Sequence, residues 1–105
     1  MEICFKDKKL QKICEQHTKL QVKYGELKAT RILLRIGDLQ DALHLMDVKQ
    51  LPQARLHPLQ GNRHGQFALD TLHPYRLIII PMNGNIDDLN TITKVEIISI
   101  NEDYH

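Results

Sequence analysis

Pro52 divides the chain between two hydrophobic periodicities. Before it, apolar side chains mostly return every three or four residues. After it, they tend to alternate. The two repeats call for helices and strands respectively. Leu10, Ile13, Cys14, His17 and Leu20 give residues 8–23 an amphipathic helix, with Asp7 as its N-cap and Gly25 as its stop. A second helix starts near Glu26, with Ala29, Ile32, Leu33, Ile36, Leu39 and Leu43 on its apolar side. Gly37 weakens that helix by ~1 kcal/mol relative to Ala without breaking it. The repeat fades at Met46 to Val48, and Pro52 forbids its continuation. Ahead of both helices, Glu2 to Lys6 alternates, with Ile3 and Phe5 on one side of a short strand.

Beyond Pro52, Ala54 to Leu59 reads as extended, interrupted by Pro58, and Gly61 to Gly65 as a turn. Gln66 to Asp70 alternates around Phe67 and Leu69, and residues 71–74 turn the chain. Tyr75 to Ile80 is strongly strand-forming and ends at Pro81. Residues 82–93 read as a loop with a helical turn near Leu89, and Val95 to Ile100 as the last strand. Helices followed by strands predict an α+β fold: two N-terminal helices packed on one face of a mostly antiparallel, twisted sheet. The 105 residues fit one domain spanning 1–105, within the ~100–150 residues common for compact domains.

An ordinary balance of 42% hydrophobic and 26% charged residues excludes wholesale disorder. The longest apolar run, Leu77 to Pro81, is far short of the ~20 residues of a membrane helix. No basic segment followed by a long apolar stretch opens the chain, so a cytoplasmic protein is expected, with Cys4 and Cys14 buried and reduced. The formal charge of +1 conceals an asymmetry: residues 1–31 carry a net +4 and the remainder −3. Lys8, Lys12, Lys19 and Lys23, spaced by four, seven and four, would stack on one helix face. Such a stripe could track a phosphate backbone or simply be solvated. Cys14 and His17 have helical i, i+3 spacing, but nothing completes a metal site. No phosphate-cradling glycine loop and no Ser-centred elbow is present.

The segments Arg55-Leu56-His57-Pro58-Leu59-Gln60-Gly61-Asn62-Arg63, Gly65 to Asp70, His73-Pro74-Tyr75-Arg76-Leu77-Ile78 and Glu102-Asp103-Tyr104-His105 resemble the HigB-type toxins of the RelE/ParE superfamily. The resemblance covers most of the chain. It implies a ribonuclease that cuts mRNA, typically in the ribosomal A site, neutralised by a helix-turn-helix antitoxin of HigA type. From the residues themselves, no cofactor, metal or membrane is expected. Gln60 and Asn62 stand where such toxins often carry Lys and Asp.

Metal-free RNA cleavage needs a base for the 2′-OH, an acid for the leaving 5′-oxygen, and cations for the phosphoryl oxygens. With the resemblance, Arg76 is the candidate phosphate ligand on a rigid strand, its bland alternative being an edge-strand ion pair with Asp70 or Glu96. His105 is the candidate proton donor, its imidazolium favoured by Asp103 and the α-carboxylate. Tyr104 would stack on a base or reach a phosphate, and His57 would be a second proton carrier. Asp103 would orient a cation. Lys8, Lys9, Lys12, Lys19 and Arg63 would contact RNA or ribosome, the alternative for Arg63 being a solvated turn residue. A rival reading is a catalytically weak or inactive relative that binds its antitoxin or another partner. Gln60, Asn62 and the low net charge favour that rival.

Overall fold

A computed structural model describes residues 1–103 of the chain. Its first strand, β1 (Glu2–Phe5), lies beside its last, β5 (Lys94–Asp103), in parallel register from Glu2 opposite Lys94 to Phe5 opposite Ile97. The helices between them are α1 (Lys8–Glu15), α2 (His17–Tyr24), α3 (Glu26–Asp41) and α4 (Leu45–Lys49). The strands β2 (His57–Pro58), β3 (Phe67–Asp70) and β4 (Tyr75–Pro81) complete one sheet in the order β1-β5-β4-β3-β2. Every pairing except β1 with β5 is antiparallel. This is the expected α+β architecture.

Asp7 caps α1 as expected, its carboxylate accepting from the Leu10 N–H at 2.8 Å. The single helix expected over 8–23 is instead two. Gln16 takes an extended conformation (φ −122°, ψ 100°), ending α1 and opening α2. Residues 15–19 are all exposed, so no apolar contact holds the helix straight there. The break lets Cys14 on α1 and Leu20 on α2 both enter the core, and it leaves His17, assigned to the apolar side, in solvent. It also overturns the continuous lysine face: Lys8 and Lys12 ride on one helix, Lys19 and Lys23 on another.

The repeat of α3 buries Ala29, Ile32, Ile36 and Leu39, and then stops at Asp41 because Ala42 is extended. Leu43 is consequently exposed. The short α4 was not legible in the fading repeat. It forms because Leu45 and Val48, three apart, are both buried, and because the Leu45 N–H donates to the Ile92 carbonyl at 2.9 Å. The N-terminal ammonium of Met1 donates to the carbonyls of Leu39 (3.2 Å), Gln40 (2.9 Å) and Ala42, at the end of α3 where unsatisfied carbonyls collect.

The main core lies between the helices and one sheet face, where Leu69, Leu77, Ile79, Val95 and Ile97 meet Leu20, Ile32 and Leu39. Pro58 keeps β2 to two residues at the sheet edge, since it lacks an N–H for further pairing. Residues 82–93 form an ordered connection, with the expected helical turn at Leu89–Thr91. Asn83 Oδ1 accepts from the Thr93 and Lys94 N–H groups at 2.9 and 3.2 Å. Gly84 sits at φ +72°, where a Cβ would fall 2.3 Å from the Thr91 carbonyl oxygen. Cys14 is buried as expected, and burial, aided by Glu15, pushes its thiol up to about 11. Cys4 is only half-buried. No helix among the described residues is long and apolar enough to cross a membrane.

Candidate functional site

The sheet face opposite the main core carries a small apolar cluster, Leu59, Ala68 and Ile78, with Ile98 packed against it. A charged row runs beside it. Asp70 on β3, Arg76 on β4 and Glu102 on β5 stand in cross-strand register. Side chains so placed have Cβ atoms ~4.5–5.5 Å apart, within reach of one another.

Two register irregularities in the β4–β5 pairing produce this row, between Arg76 and Ile78 and between Ile78 and Ile79. Ile97 and Ile100 both enter the main core although they are three residues apart. The first irregularity beyond Ile100 then returns Glu102 to the opposite face, across from Arg76.

Arg76 is on a central strand, and its side chain is 11% exposed. Its Nη2 donates to Glu102 Oε1 at 3.4 Å. The edge-strand pair with Asp70 or Glu96 is therefore corrected. Asp70 instead binds Arg55 with both oxygens, at 2.7 and 3.2 Å, and Glu96 lies opposite Ile80. Asp70 is also fixed through its backbone. Its N–H donates to the Ala54 carbonyl (2.8 Å), and its carbonyl accepts from Nε of the buried Arg35 (2.8 Å), which also pairs with Asp38 at 2.6 Å.

Arg63, in the turn Gly61–Arg63 of the β2–β3 connection, reaches Glu102 on β5 with its side chain, so it is not a free solvated turn residue. Its Nε donates to Gln66 Oε1 at 3.0 Å, its Nη2 to Glu102 Oε2 at 2.9 Å, and its Nη1 to Glu102 Oε1. The Arg63 hydrogen bond, and secondarily Arg76, hold the Glu102 carboxyl below its ordinary value of 4.5 against the opposing effect of burial. Arg63 is correspondingly held protonated.

His57 pairs with Ala68, so it occupies the neighbouring row of the same face. Its Nδ1 lies 2.8 Å from the Arg55 carbonyl, which can only accept. That makes Nδ1 the donor in this contact. Arg55 adopts a left-handed φ of +44°, a conformation unfavourable for a side-chain-bearing residue. It aims the Arg55 carbonyl at His57 and its guanidinium at Asp70. By strand spacing, His57 and Arg76 are about 12 Å apart along the backbone grid.

Asp103 pairs with Tyr75, whose ring carries the Lys28 ammonium at 3.5 Å from its centroid. Tyr104 and His105 lie outside the described residues. Lys9 and Lys23 line a shallow cleft of about 180 Å³ with Ile98, so the start of α1 and the end of α2 lie beside β5. Lys8, Lys12 and Lys19 are exposed. The acidic pair Asp87-Asp88 belongs to the connection leaving β4 at Pro81. Pro81 is five residues from Arg76, or ~16 Å along the strand, so the pair sits at the other end of the hairpin from the charged row. No group of three or more His, Cys, Asp or Glu among the described residues could hold a metal ion.

Arg55, Asp70 and Glu102 were not singled out as site residues from sequence. The left-handed turn at Arg55 had no glycine or asparagine to announce it, and Glu102 depends on the irregular β5 register.

No family model matches the chain, and no curated protein matches it. Among solved structures it is similar to a YoeB/ParE toxin from Agrobacterium tumefaciens. The TM-score is 0.57 at 15% identity, over 99% of this chain and 100% of that one. At that identity the likeness shows the fold alone.

Proposed function

We propose that the chain is an endoribonuclease toxin of HigB type that cuts mRNA on the ribosome in the cytoplasm and is silenced by a helix-turn-helix antitoxin. The observation that carries this reading is the charged row: Arg76, on a rigid central strand, in register with Glu102 and one residue from the end of β5 that leads into Tyr104 and His105. A guanidinium fixed in this way suits a scissile phosphate, because it needs no reorganisation as charge develops. The 2′-OH attacks the adjacent phosphorus. His57, oriented by the contact of its Nδ1 with the Arg55 carbonyl, is the candidate to take the 2′-OH proton. His105 returns a proton to the leaving 5′-oxygen, Tyr104 holds a base or phosphate, and Asp103 orients a cation. The products are a 2′,3′-cyclic phosphate and a 5′-hydroxyl. Lys8, Lys9, Lys12 and Lys19 serve docking to RNA or ribosome, aided by Lys23 and Lys28 near β5 and β4. Val22, Leu27 and Leu34, each more than half exposed on α2 and α3, offer apolar surface to a protein partner.

One observation favours the second reading, a partner-binding relative without cleavage: Arg55, Arg63 and Arg76 each have a carboxylate partner on this face. A translating extract with a reporter mRNA separates the two. The ribonuclease cuts within the translated frame, in EDTA-treated protein as in untreated, and leaves 2′,3′-cyclic ends. Intact mRNA with a stable antitoxin complex supports the binding module instead.

A further inference from the structure

Glu102 does something a simple surface carboxylate does not: it joins two guanidiniums that come from different parts of the fold. Its Oε1 is shared by Arg63 Nη1 and Arg76 Nη2, and its Oε2 takes Arg63 Nη2 at 2.9 Å. Arg63 comes from the β2–β3 turn and Arg76 from strand β4. A planar anion with two oxygens, held between two guanidinium forks, has the donor geometry of a phosphodiester held by its two non-bridging oxygens. Its side chain is 26% exposed, so the bridge can be reached from solvent. Gln66 holds Arg63 by a separate hydrogen bond to Nε, so Arg63 stays aimed when its Nη groups exchange one anion for another.

We infer that Glu102 is an internal stand-in for an RNA phosphate: it keeps Arg63 and Arg76 together in the free protein and is displaced when a phosphodiester of single-stranded RNA enters between them. This deepens the ribonuclease reading and rests on it. Glu102 is a positioning residue, and its presence weakens ground-state RNA binding in return for two pre-aimed cations. The carboxyl stays ionised at neutral pH because Arg63, then Arg76, lower its proton affinity, so the competition is at full strength there.

The test uses a short single-stranded RNA, 2′-O-methylated throughout and therefore uncleavable, with binding read by fluorescence anisotropy over a range of salt. Glu102→Gln keeps the shape and removes the charge. It should bind about threefold to tenfold more tightly than the unmodified chain, as expected for one partly screened charge a few ångströms from a phosphate. Its log-affinity against log-salt slope should steepen by about 0.7, because no freed carboxylate takes up a cation in place of the one the phosphate releases. Asp70→Asn makes the same charge change on the same face but next to Arg55, and should gain less than half as much. In the unmodified protein, the ¹⁵N-edited Nε–H signals of Arg63 and Arg76 should shift together as the RNA is added, a readout that does not depend on any variant folding. Equal or weaker binding by Glu102→Gln, equal gains for the two variants, unmoved Arg63 and Arg76 signals, or no RNA binding at low salt would each overturn the inference. Because this RNA cannot be cut, failure here is distinct from failure of mRNA cleavage in the extract.

Discussion

The two faces of the sheet are built on different rules. The helix-side face is apolar, with Leu69, Leu77, Ile79, Val95 and Ile97 closed against α2 and α3. The opposite face buries a smaller apolar cluster among the described residues, Leu59, Ala68 and Ile78, flanked by a row of arginines and carboxylates. Burial on the first side is non-directional, so many side chains of similar size would serve there. On the second, each guanidinium is held by directed hydrogen bonds, and a one-residue slip in register would dismantle the row. Stability should therefore reside mainly on one face and function on the other.

Substitutions that separate the two should show the largest effects. Ile79→Ala removes a fully buried side chain from the helix-side core and should cost about 3 kcal/mol, read as a lowered denaturation midpoint. Arg76→Ala should lower cleavage of mRNA by about 10³-fold, with a far smaller change in that midpoint. A variant at Arg76 that lost stability as Ile79→Ala does would break the comparison.

Arg35 sharpens it, because it reaches from α3 to the backbone of Asp70. Arg35→Ala removes the donor to a part-buried carbonyl and the partner of the Asp38 carboxylate, so it should cost about 1–2 kcal/mol in chemical denaturation and also weaken activity, since Asp70 anchors one end of the row. Loss of stability alone, with unchanged specific activity in the folded fraction, would show that the two faces are uncoupled.

Glu102 gives a pH signature for the second face. Its folded-state carboxyl lies below the ordinary value of 4.5, so its contribution to stability is fully present above that value and is lost as pH falls through the lower folded one. The stability difference between the unmodified chain and Glu102→Gln should be about 1 kcal/mol or less at pH 7 and should shrink below pH 4.5. A difference that grows on acidification would contradict the assignment. Smallest of all, changing Lys8, Lys12 and Lys19 together to Gln should move stability by less than ~1 kcal/mol. Ribosome sedimentation at several salt concentrations should show weaker and less salt-dependent binding.

What could be read from the sequence follows the same division. The helix-side face announced itself through repeats: Ala29, Ile32, Ile36 and Leu39 on α3, Phe67 and Leu69 on β3, and the strand propensity of Tyr75 to Ile80. Where the repeat had to change direction it failed. Nothing in Glu15-Gln16-His17 marks the end of α1, because the break is set by where Cys14 and Leu20 must both be buried. The second face depends on pairing rather than propensity. Arg76 could be singled out as a cation on a strand, but its partner Glu102 lies across an irregular register that strict alternation from Ile100 would place on the wrong side. Arg63 could be read from its Gly-flanked turn as a phosphate contact or a solvated residue, and its pairing with Glu102 on β5 depends on the fold.

The most direct test of the account is a 5′-end-labelled reporter mRNA in a translating extract, challenged with equal folded concentrations of the unmodified chain and of Arg76→Ala. The account predicts discrete cuts within the translated frame for the former, vanishing for the latter while its circular dichroism is unchanged. Uncut mRNA with the unmodified chain, or the same cuts with Arg76→Ala, would contradict it.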